Sequence, residues 1–263
     1  MQIPELVLFW LIAACYLATF VAAMFHAFFH KERLASLATW ALWIGFLLHL
    51  GLFILQWVLY QHLPLHKPAI ITVMIFLILQ TILKDRLTHI AIFISLIALI
   101  AFFLSNAGDP SRPLSTAYGS RWLFLHMVSA WFAFGSFGVA TAFAGAYLVK
   151  DRKPGFIPAY SPESMDRIMY KLVAVGVLFL MIMTIAGAIW AKKLFGRYWG
   201  WDAVEIWALI VLLFYMLYIH ARLLLHVKGK LAAWMLIVGL ILMGISMWGL
   251  SFIVPHIQNP MGS

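Results

Sequence analysis

The sequence predicts an all-α polytopic membrane protein, a bundle of about eight transmembrane helices. Composition is the first reason: 65% of its 263 residues are hydrophobic, 10% are charged, and this is too apolar for a water-soluble globule. The second reason is a succession of apolar runs separated by short polar segments. Most of these runs are near the roughly 20 residues that cross ~30 Å of hydrocarbon as a helix.

We place the eight helices at about 6–28, 37–60, 69–83, 87–104, 122–149, 170–191, 203–225 and 231–254. The third helix is short: Pro68 begins it, and Lys84 and Arg86 close the turn that follows. A count of six or seven would require this hairpin to be re-entrant. The longest polar connections, about 105–121 and 150–169, are too short to fold alone, so residues 1–263 are expected to form one integral membrane domain.

Charge predicts the orientation of the bundle. If the first loop is inside, the inner loops hold most of the 18 lysines and arginines. The outer cations are then Lys67, Arg112, Arg121, Lys192, Lys193 and Arg197. The positive-inside rule therefore places both termini and the Trp-rich loop on the outer face, the periplasmic side if the bilayer is a bacterial inner membrane, and disfavours the opposite orientation. The net charge of +9 is mostly a topology signal, and we expect no nucleic-acid partner.

A Trp-rich segment at about 191–205 joins the sixth and seventh helices. Its tryptophans offer broad π faces, its glycines allow close backbone approach, and its cations favour an anionic ligand. These residues are Trp199, Trp201 and Trp207, Gly196 and Gly200, and Lys192, Lys193 and Arg197. The segment predicts a flat surface for a large planar, anionic ligand. The alternative is an interfacial tryptophan belt, which is common in membrane proteins.

Two histidines bracket this segment. His126 begins the fifth helix at its outer end, and His256 follows the eighth helix at its outer end. Imidazoles on opposite sides of a flat ligand can fill both axial positions of a haem iron. The alternative for each is an interfacial histidine bonded to water or to the backbone.

Two further histidines lie within helices. Ionisable groups at membrane depth usually face the bundle interior and have a partner. We predict that His220, near the inner end of the seventh helix, and His49, in the middle or inner half of the second, share a deeper haem site, with His26 as the rival partner of His220. The alternative is neutral imidazoles bonded to neighbouring helices. No chemistry is assigned to His30, His89 and His226 at the inner boundary.

The acids Asp202 and Glu205 stand three residues apart at the start of the seventh helix. There they can cap free backbone N–H groups and oppose the positive helix end. They can also hold the shape of the loop or accept a hydrogen bond from a metal-bound imidazole. No nucleophile accompanies them in a water-filled cleft, so we assign no catalytic residue. Cys15 is the only cysteine, which excludes a disulfide and a CxxC redox pair within the chain.

The segment 198–205, followed by 206–209, resembles the WWD signature of the cytochrome c assembly superfamily, WGxYWxWDxxExWAL, in the form of the CcsA type of the System II pathway. Weaker matches occur at 45–49, 57, 62–64, 122–126, 218–222 and 249–256. Three positions depart from the family pattern: Phe195 replaces a Trp, Ala203 a Pro and Ser251 an Asn. HemX-like relatives share the eight-helix plan without the full motif.

The resemblance implies a protein that binds haem b (iron protoporphyrin IX), moves it outward and presents it for attachment to a CxxCH apocytochrome c. A CcsB-like membrane subunit is the implied partner, and the complex either delivers haem or acts as a haem lyase that catalyses attachment. The resemblance implies that the Trp-rich surface holds the porphyrin and that His126 and His256 hold its iron. The candidate haem contacts are Tyr198, Trp199, Gly200, Trp201, Asp202, Glu205 and Trp207, with His220 and His49 as the candidate ligands of the deeper site. Charge and location alone suggest Lys192, Lys193, Arg197 and Arg121 as partners of the propionates. The alternatives are a HemX-like haem-binding regulator or stabiliser and a transporter of another planar amphiphile.

Overall fold

The computed structural model describes residues 3–60, 68–83, 87–105, 120–153 and 160–249. Within these ranges the chain forms helices and no strand. The helices are α1 (Ile3–Phe29), α2 (Glu32–Tyr60), α3 (Pro68–Ile82), α4 (Thr88–Ser105), α5 (Arg121–Arg152), α6 (Pro162–Phe195), α7 (Ala203–Leu223) and α8 (Lys230–Gly244), which continues as a π-helical turn over Ile245–Gly249. The all-α prediction is confirmed.

Seven of these helices are long and apolar enough to cross a membrane. The short one is α3: its 15 residues span about 22 Å at 1.5 Å per residue. The chain is therefore an integral membrane protein. The turn after α3, with Lys84 and Arg86, lies outside the described residues.

Helix α6 begins at Pro162, earlier than the predicted start at about 170. The Ser161 hydroxyl accepts a hydrogen bond from the Ser164 N–H at 3.2 Å, and Pro162 occupies the first turn, where its missing N–H costs nothing. The helix thus extends beyond its apolar run, and α5 likewise continues to Arg152. The polar connection predicted at 150–169 is shortened accordingly.

Helix α5 lies at the centre of the bundle and packs against α3, α4, α6 and α8. Small residues let its neighbours come close: a methyl group at Gly176 of α6 would lie 2.7 Å from Cδ1 of Phe137, and one at Gly145 would lie 2.7 Å from Cδ1 of Phe93. Lipid is as apolar as a leucine side chain, so helices in a membrane associate through such close packing. The α5–α6 pair is therefore the framework on which the site is built.

The two ends of the bundle differ in their polar groups. We call the end of the bundle that carries the Trp-rich loop the loop end. There the start of α5 meets the end of α6, and the Lys193 ammonium lies 5.8 Å from the centre of the Trp122 ring. At the opposite, far end, Asp166 of α6 receives two hydrogen bonds from the Arg222 guanidinium at 2.6 and 2.7 Å. Asp166 also accepts the Gly229 N–H at 3.1 Å. This arrangement ties α6 to the turn between α7 and α8.

Removing the Asp166 carboxylate is expected to destabilise the bundle. The side chains of the Arg222–Asp166 pair are only 7 and 11% exposed, so Asp166→Ala leaves a guanidinium with little access to water. We expect a loss of roughly 3 kcal/mol in the free energy of unfolding, measured by detergent denaturation. The matched control is Asp151→Ala, which breaks the exposed pair with Lys230 and is expected to cost less than about 1 kcal/mol. Equal losses of unfolding free energy in the two variants would contradict the conclusion that the buried Asp166–Arg222 pair stabilises the bundle more than the exposed pair does.

Candidate haem-handling site

The Trp-rich loop is held at both ends by helix caps. Helix α6 ends at Gly196, whose φ of 75° is left-handed and whose N–H donates to the Lys192 carbonyl at 3.1 Å. Helix α7 begins after Asp202, whose Oδ1 accepts the Glu205 N–H at 2.9 Å. The backbone between the caps is therefore a short, defined connection.

The second acid of the motif closes the loop on itself. Oε2 of Glu205 accepts the Gly200 N–H at 2.5 Å, so the side chain reaches back across the cap to the loop backbone. In a capping box this side chain would accept the N–H of the cap residue itself. Here Glu205 instead accepts the N–H of Gly200, two residues before the cap residue Asp202. Asp202 and Glu205 thus shape the loop, as one of the sequence hypotheses proposed. No hydrogen bond joins either acid to a histidine within the described part of the chain.

The aromatic residues of the loop do not form one flat surface. The indoles of Trp199 and Trp201 meet edge to face, with ring centres 5.8 Å apart and planes at 82°. Trp201 is 69% exposed and has a left-handed backbone with a φ of 58°. Tyr198 is also exposed, whereas Trp207 is half-buried in the first turns of α7. A planar ligand therefore finds two perpendicular indole faces instead of the predicted continuous surface.

Cations surround this loop and contact its backbone. The Lys192 ammonium donates to the Gly196 carbonyl at 2.6 Å and lies 5.5 Å from the centre of the Tyr198 ring. Arg197 donates to the Gly200 carbonyl at 3.3 Å. Both side chains remain exposed, so each can exchange a neutral carbonyl for a ligand carboxylate, which accepts a stronger hydrogen bond.

His126 lies in the second turn of α5, beside the last third of α6. Its Nδ1 is 2.9 Å from the Met183 carbonyl, and because a carbonyl only accepts, Nδ1 carries the proton. The neutral ring then has its lone pair on Nε2, the arrangement in which histidines usually ligate metals. Gly187 makes this approach possible, since a methyl group there would lie 2.7 Å from Nδ1.

Met183 and Gly187 were not identified from the sequence. The Met183 contribution is a backbone carbonyl, which any residue supplies equally well. Gly187 is one glycine in a long apolar helix, and only the neighbouring α5 gives it a role.

The other predicted iron ligands do not meet one another. His49 is 1% exposed; its Nδ1 is 2.9 Å from the Tyr16 hydroxyl, and its ring packs edge to face on Phe102, with centres 4.7 Å apart. His220 is exposed on α7, and its Nδ1 donates to the Met216 carbonyl at 2.8 Å. Because α2 packs against α1, α3 and α4, and α7 against α6 and α8, the structure does not bring His49 and His220 together. His256 lies outside the described residues.

The contacts of His49 agree with the first of the two predicted depths, the middle of α2, since its partner Tyr16 is in the middle of α1. Phe102 is close to the loop end of α4, so its contact places His49 in the middle or towards the loop end of α2, not in the inner half. His26, the rival partner of His220, lies at the far end of α1 against His89 of α4, with ring centres 5.0 Å apart.

The Trp-rich loop lies within the part of the chain that matches a known protein family. Residues 57–257 match the family model described as Cytochrome C assembly protein. The chain belongs to the cytochrome c assembly protein family. This match covers the Trp-rich loop, His126 and His220, and it begins within α2, after His49.

Several curated relatives of the chain are cytochrome c biogenesis proteins named CcsA. It is 30% identical over 185 residues to the cytochrome c biogenesis protein CcsA of Synechococcus sp. (strain CC9902), covering 60% of this chain and 61% of that protein. Identity to CcsA of Chlamydomonas reinhardtii is 28% over 159 residues, covering 59% of this chain and 45% of that protein. The chain thus spans about three fifths or less of the length of these relatives.

A solved structure shares the fold of this family member. The cytochrome c haem lyase CcmF superposes with a TM-score of 0.67 at 18% identity. The superposition covers 96% of this chain and 50% of the CcmF chain. The likeness shows that this helix arrangement also occurs as one half of a larger membrane protein.

The Glu205 hydrogen bond is expected to keep the loop closed. Glu205→Ala frees the Gly200 N–H, so amide exchange over 196–202, measured by mass spectrometry, should accelerate about tenfold, equivalent to about 1.4 kcal/mol. Glu163→Ala, an exposed first-turn acid at the far end of α6, serves as the control and should leave this exchange unchanged. Unchanged exchange in Glu205→Ala would show that the loop is held by other contacts.

Proposed function

We propose that this chain acts in cytochrome c biogenesis by binding haem b at the loop end and presenting it for attachment to a CxxCH apocytochrome c. The observation that carries the proposal is the His126 imidazole in the loop-end half of the bundle, whose Nδ1–H is committed to a carbonyl and whose Nε2 is left to bind iron. His256, which follows α8, is the proposed second ligand. The family and the CcsA relatives support the same process.

The residues of the Trp-rich loop, at the same end of the bundle as His126, suit a porphyrin with two carboxylates. Trp199 and Trp201 offer indole faces at right angles, one able to stack on a ring and the other to close its edge. The Trp199 Nε1 is buried and has no hydrogen-bond partner among the described residues, so it is an available donor. Arg197 and Lys192 are proposed propionate partners. When bound, haem supplies the group to which the cytochrome's cysteines become attached.

The proposed roles of the remaining motif residues are structural within the site. Gly200 and Glu205 hold the loop closed, Asp202 caps α7, and Trp207 supports the loop from the first turns of that helix. Tyr198, exposed beside Lys192, is proposed to contact the ligand edge. The protein then contributes orientation and protection of the iron, while the thioether bonds form on the substrate's own cysteines.

The proposed orientation places the loop end outside, on the periplasmic side of a bacterial inner membrane. In support, the described far end carries Lys31, Arg33, Lys150, Arg152, Lys153, Arg167, Lys171, Arg222, Lys228 and Lys230. The described loop end carries Arg121, Lys192, Lys193 and Arg197. This asymmetry satisfies the positive-inside rule. An apocytochrome on the outer face would meet the exposed side of the loop directly.

A second membrane subunit, of the CcsB type, is the proposed partner. His220 supports this: it is exposed on α7, a helix largely unburied by its own bundle, and its Nδ1–H is committed to Met216. A haem iron bound by His220 on this surface would need its second axial ligand from another chain. The CcmF superposition is consistent with a further membrane part, since half of that chain lies beyond the region matched here.

Haem binding is tested by the visible spectrum of the protein purified from haem-supplemented cells. We expect His126→Ala and His256→Ala each to abolish the low-spin bis-histidine spectrum of the outer site. His220→Ala should change the spectrum only where a partner subunit completes a second site. His49→Ala, which removes a ring buried between α1, α2 and α4, is the comparison for a histidine inside the bundle. Identical spectra in all four variants would overturn the ligand assignment.

The Gly187 position provides a test that leaves every histidine in place. Gly187→Ala puts a methyl group 2.7 Å from His126 Nδ1, so the imidazole must move away from the Met183 carbonyl. We expect haem affinity to fall about tenfold or more, since overpacking of this kind costs roughly 1–3 kcal/mol. Gly51→Ala is the matched control, because nothing lies within 4 Å of an added methyl group there. Equal haem affinity in both variants would show that haem binding does not depend on the position of the His126 ring.

A further inference from the structure

Helix α8 runs from the far end of the bundle towards the loop end and continues as a single π-helical turn. This turn spans Ile245–Gly249 and follows directly on the α-helical part, which ends at Gly244. A π turn holds more residues than an α-helical turn, so it changes the direction in which the chain leaves the helix, and such turns are frequent at functional sites. His256, the proposed second iron ligand, is the seventh residue after the turn.

One side chain anchors this turn to the rest of the bundle. Trp248 is the only buried residue of the turn, with 6% of its surface exposed. Its indole meets the ring of Phe134 on α5 edge to face, with ring centres 5.3 Å apart and planes at 85°. Such aromatic pairs are favourable beyond the area that they bury. The turn also contacts α7, so it touches both the helix that carries His126 and the helix that follows the Trp-rich loop.

The anchor is a tryptophan although its polar atom is unsatisfied. Nε1 of Trp248 is buried and has no hydrogen-bond partner among the described residues. A buried donor without a partner is unfavourable, and a phenylalanine at this position would avoid the cost. Filling space beside Phe134 therefore does not account for an indole here. A hydrogen-bond acceptor is expected beside the turn when the haem site is complete.

The backbone of the turn is weak by itself. Gly244 precedes the turn and Gly249 ends it, and glycine is less favourable than alanine within a helix. A methyl group at Gly244 would have no other atom within 4 Å, so packing does not require a glycine there. Helices bend most readily at glycines and at π turns. The direction of this turn therefore depends on the side-chain contact between Trp248 and Phe134.

The distances along the chain suit a role in placing His256. Phe134 is eight residues from His126, which is about 12 Å along α5 at 1.5 Å per residue. His256 is likewise eight residues from Trp248. Eight residues span about 12 Å as a helix and up to about 28 Å when extended. The chain that leaves the turn is therefore long enough to bring His256 level with His126.

We propose that Trp248 is a positioning residue for haem: by anchoring the π turn to α5, its indole directs the segment that bears His256 towards the iron held by His126. The proposal rests on the proposed haem function and adds to it the residue that places the second ligand. The contact between α5 and α6 then orients His126, and the contact between α5 and the π turn orients His256. Loss of the Trp248 anchor removes the second ligand from the iron while the first remains.

The test compares the spin state of bound haem in variants of the full-length chain, measured by visible spectroscopy. Trp248→Ala is expected to lower the ratio of low-spin to high-spin haem tenfold or more, because the iron keeps His126 and loses His256. Free imidazole should then restore the low-spin spectrum. Trp248→Phe, which keeps an aromatic ring in contact with Phe134, should retain more of the low-spin form than Trp248→Ala.

Two further variants complete the comparison. Phe134→Ala removes the other ring of the contact and should lower the ratio in the same direction, so it decides the question if Trp248→Ala does not fold. Trp234→Ala is the matched control, because it removes an indole of the same helix that is 51% exposed. This variant should leave the ratio unchanged.

The outcomes separate this proposal from the proposed function. If wild-type haem is low-spin and stays so in Trp248→Ala and Phe134→Ala, the anchor does not place the second ligand and the outer site stands. If Trp248→Ala folds but loses haem altogether and imidazole does not restore the spectrum, Trp248 supports the whole site and the positioning role is overturned. If the wild type binds no haem, both proposals fail.

Discussion

The structure depends on the close approach of α5 and α6. In a bilayer this approach gains nothing from expelling water, so it rests on dispersion contacts between surfaces that fit. Phe137 fits against Gly176 in the middle of the pair, and His126 fits against Gly187 nearer the loop end. The same fit that joins the helices therefore sets the height, the direction and the tautomer of the proposed iron ligand.

The Trp-rich loop depends in turn on where α6 and α7 end. The Gly196 and Asp202 caps bound it, and Glu205 closes it, so the loop needs no contact with a ligand to hold its shape. Two of its cations, Lys192 and Arg197, donate to carbonyls of the loop itself. Such bonds are weak enough to be exchanged for a carboxylate, which makes the loop preorganised in backbone and adaptable in charge.

Much of this arrangement could be predicted from the sequence because it is local. Run length and composition predicted the helices, and the spacing of Asp202 and Glu205 predicted a cap at the start of α7. The start of α6 was missed because Ser161 and Pro162 extend the helix into a polar segment. The perpendicular indoles were missed because the orientation of Trp201 follows from its left-handed backbone, which the motif does not reveal.

Position along a helix predicts depth, whereas direction around the helix depends on neighbours. This is why the predicted pairing of His49 with His220 does not occur within the chain: one ring faces Tyr16 and the other faces away from the bundle. The pattern that does emerge is chemical. His26, His126 and His220 each commit Nδ1–H to a backbone carbonyl, which leaves the lone pair of the neutral ring on Nε2. These three positions lie at the far end, at the loop end and on an exposed flank. The direction of each imidazole is therefore set by the backbone and does not depend on a bound ligand.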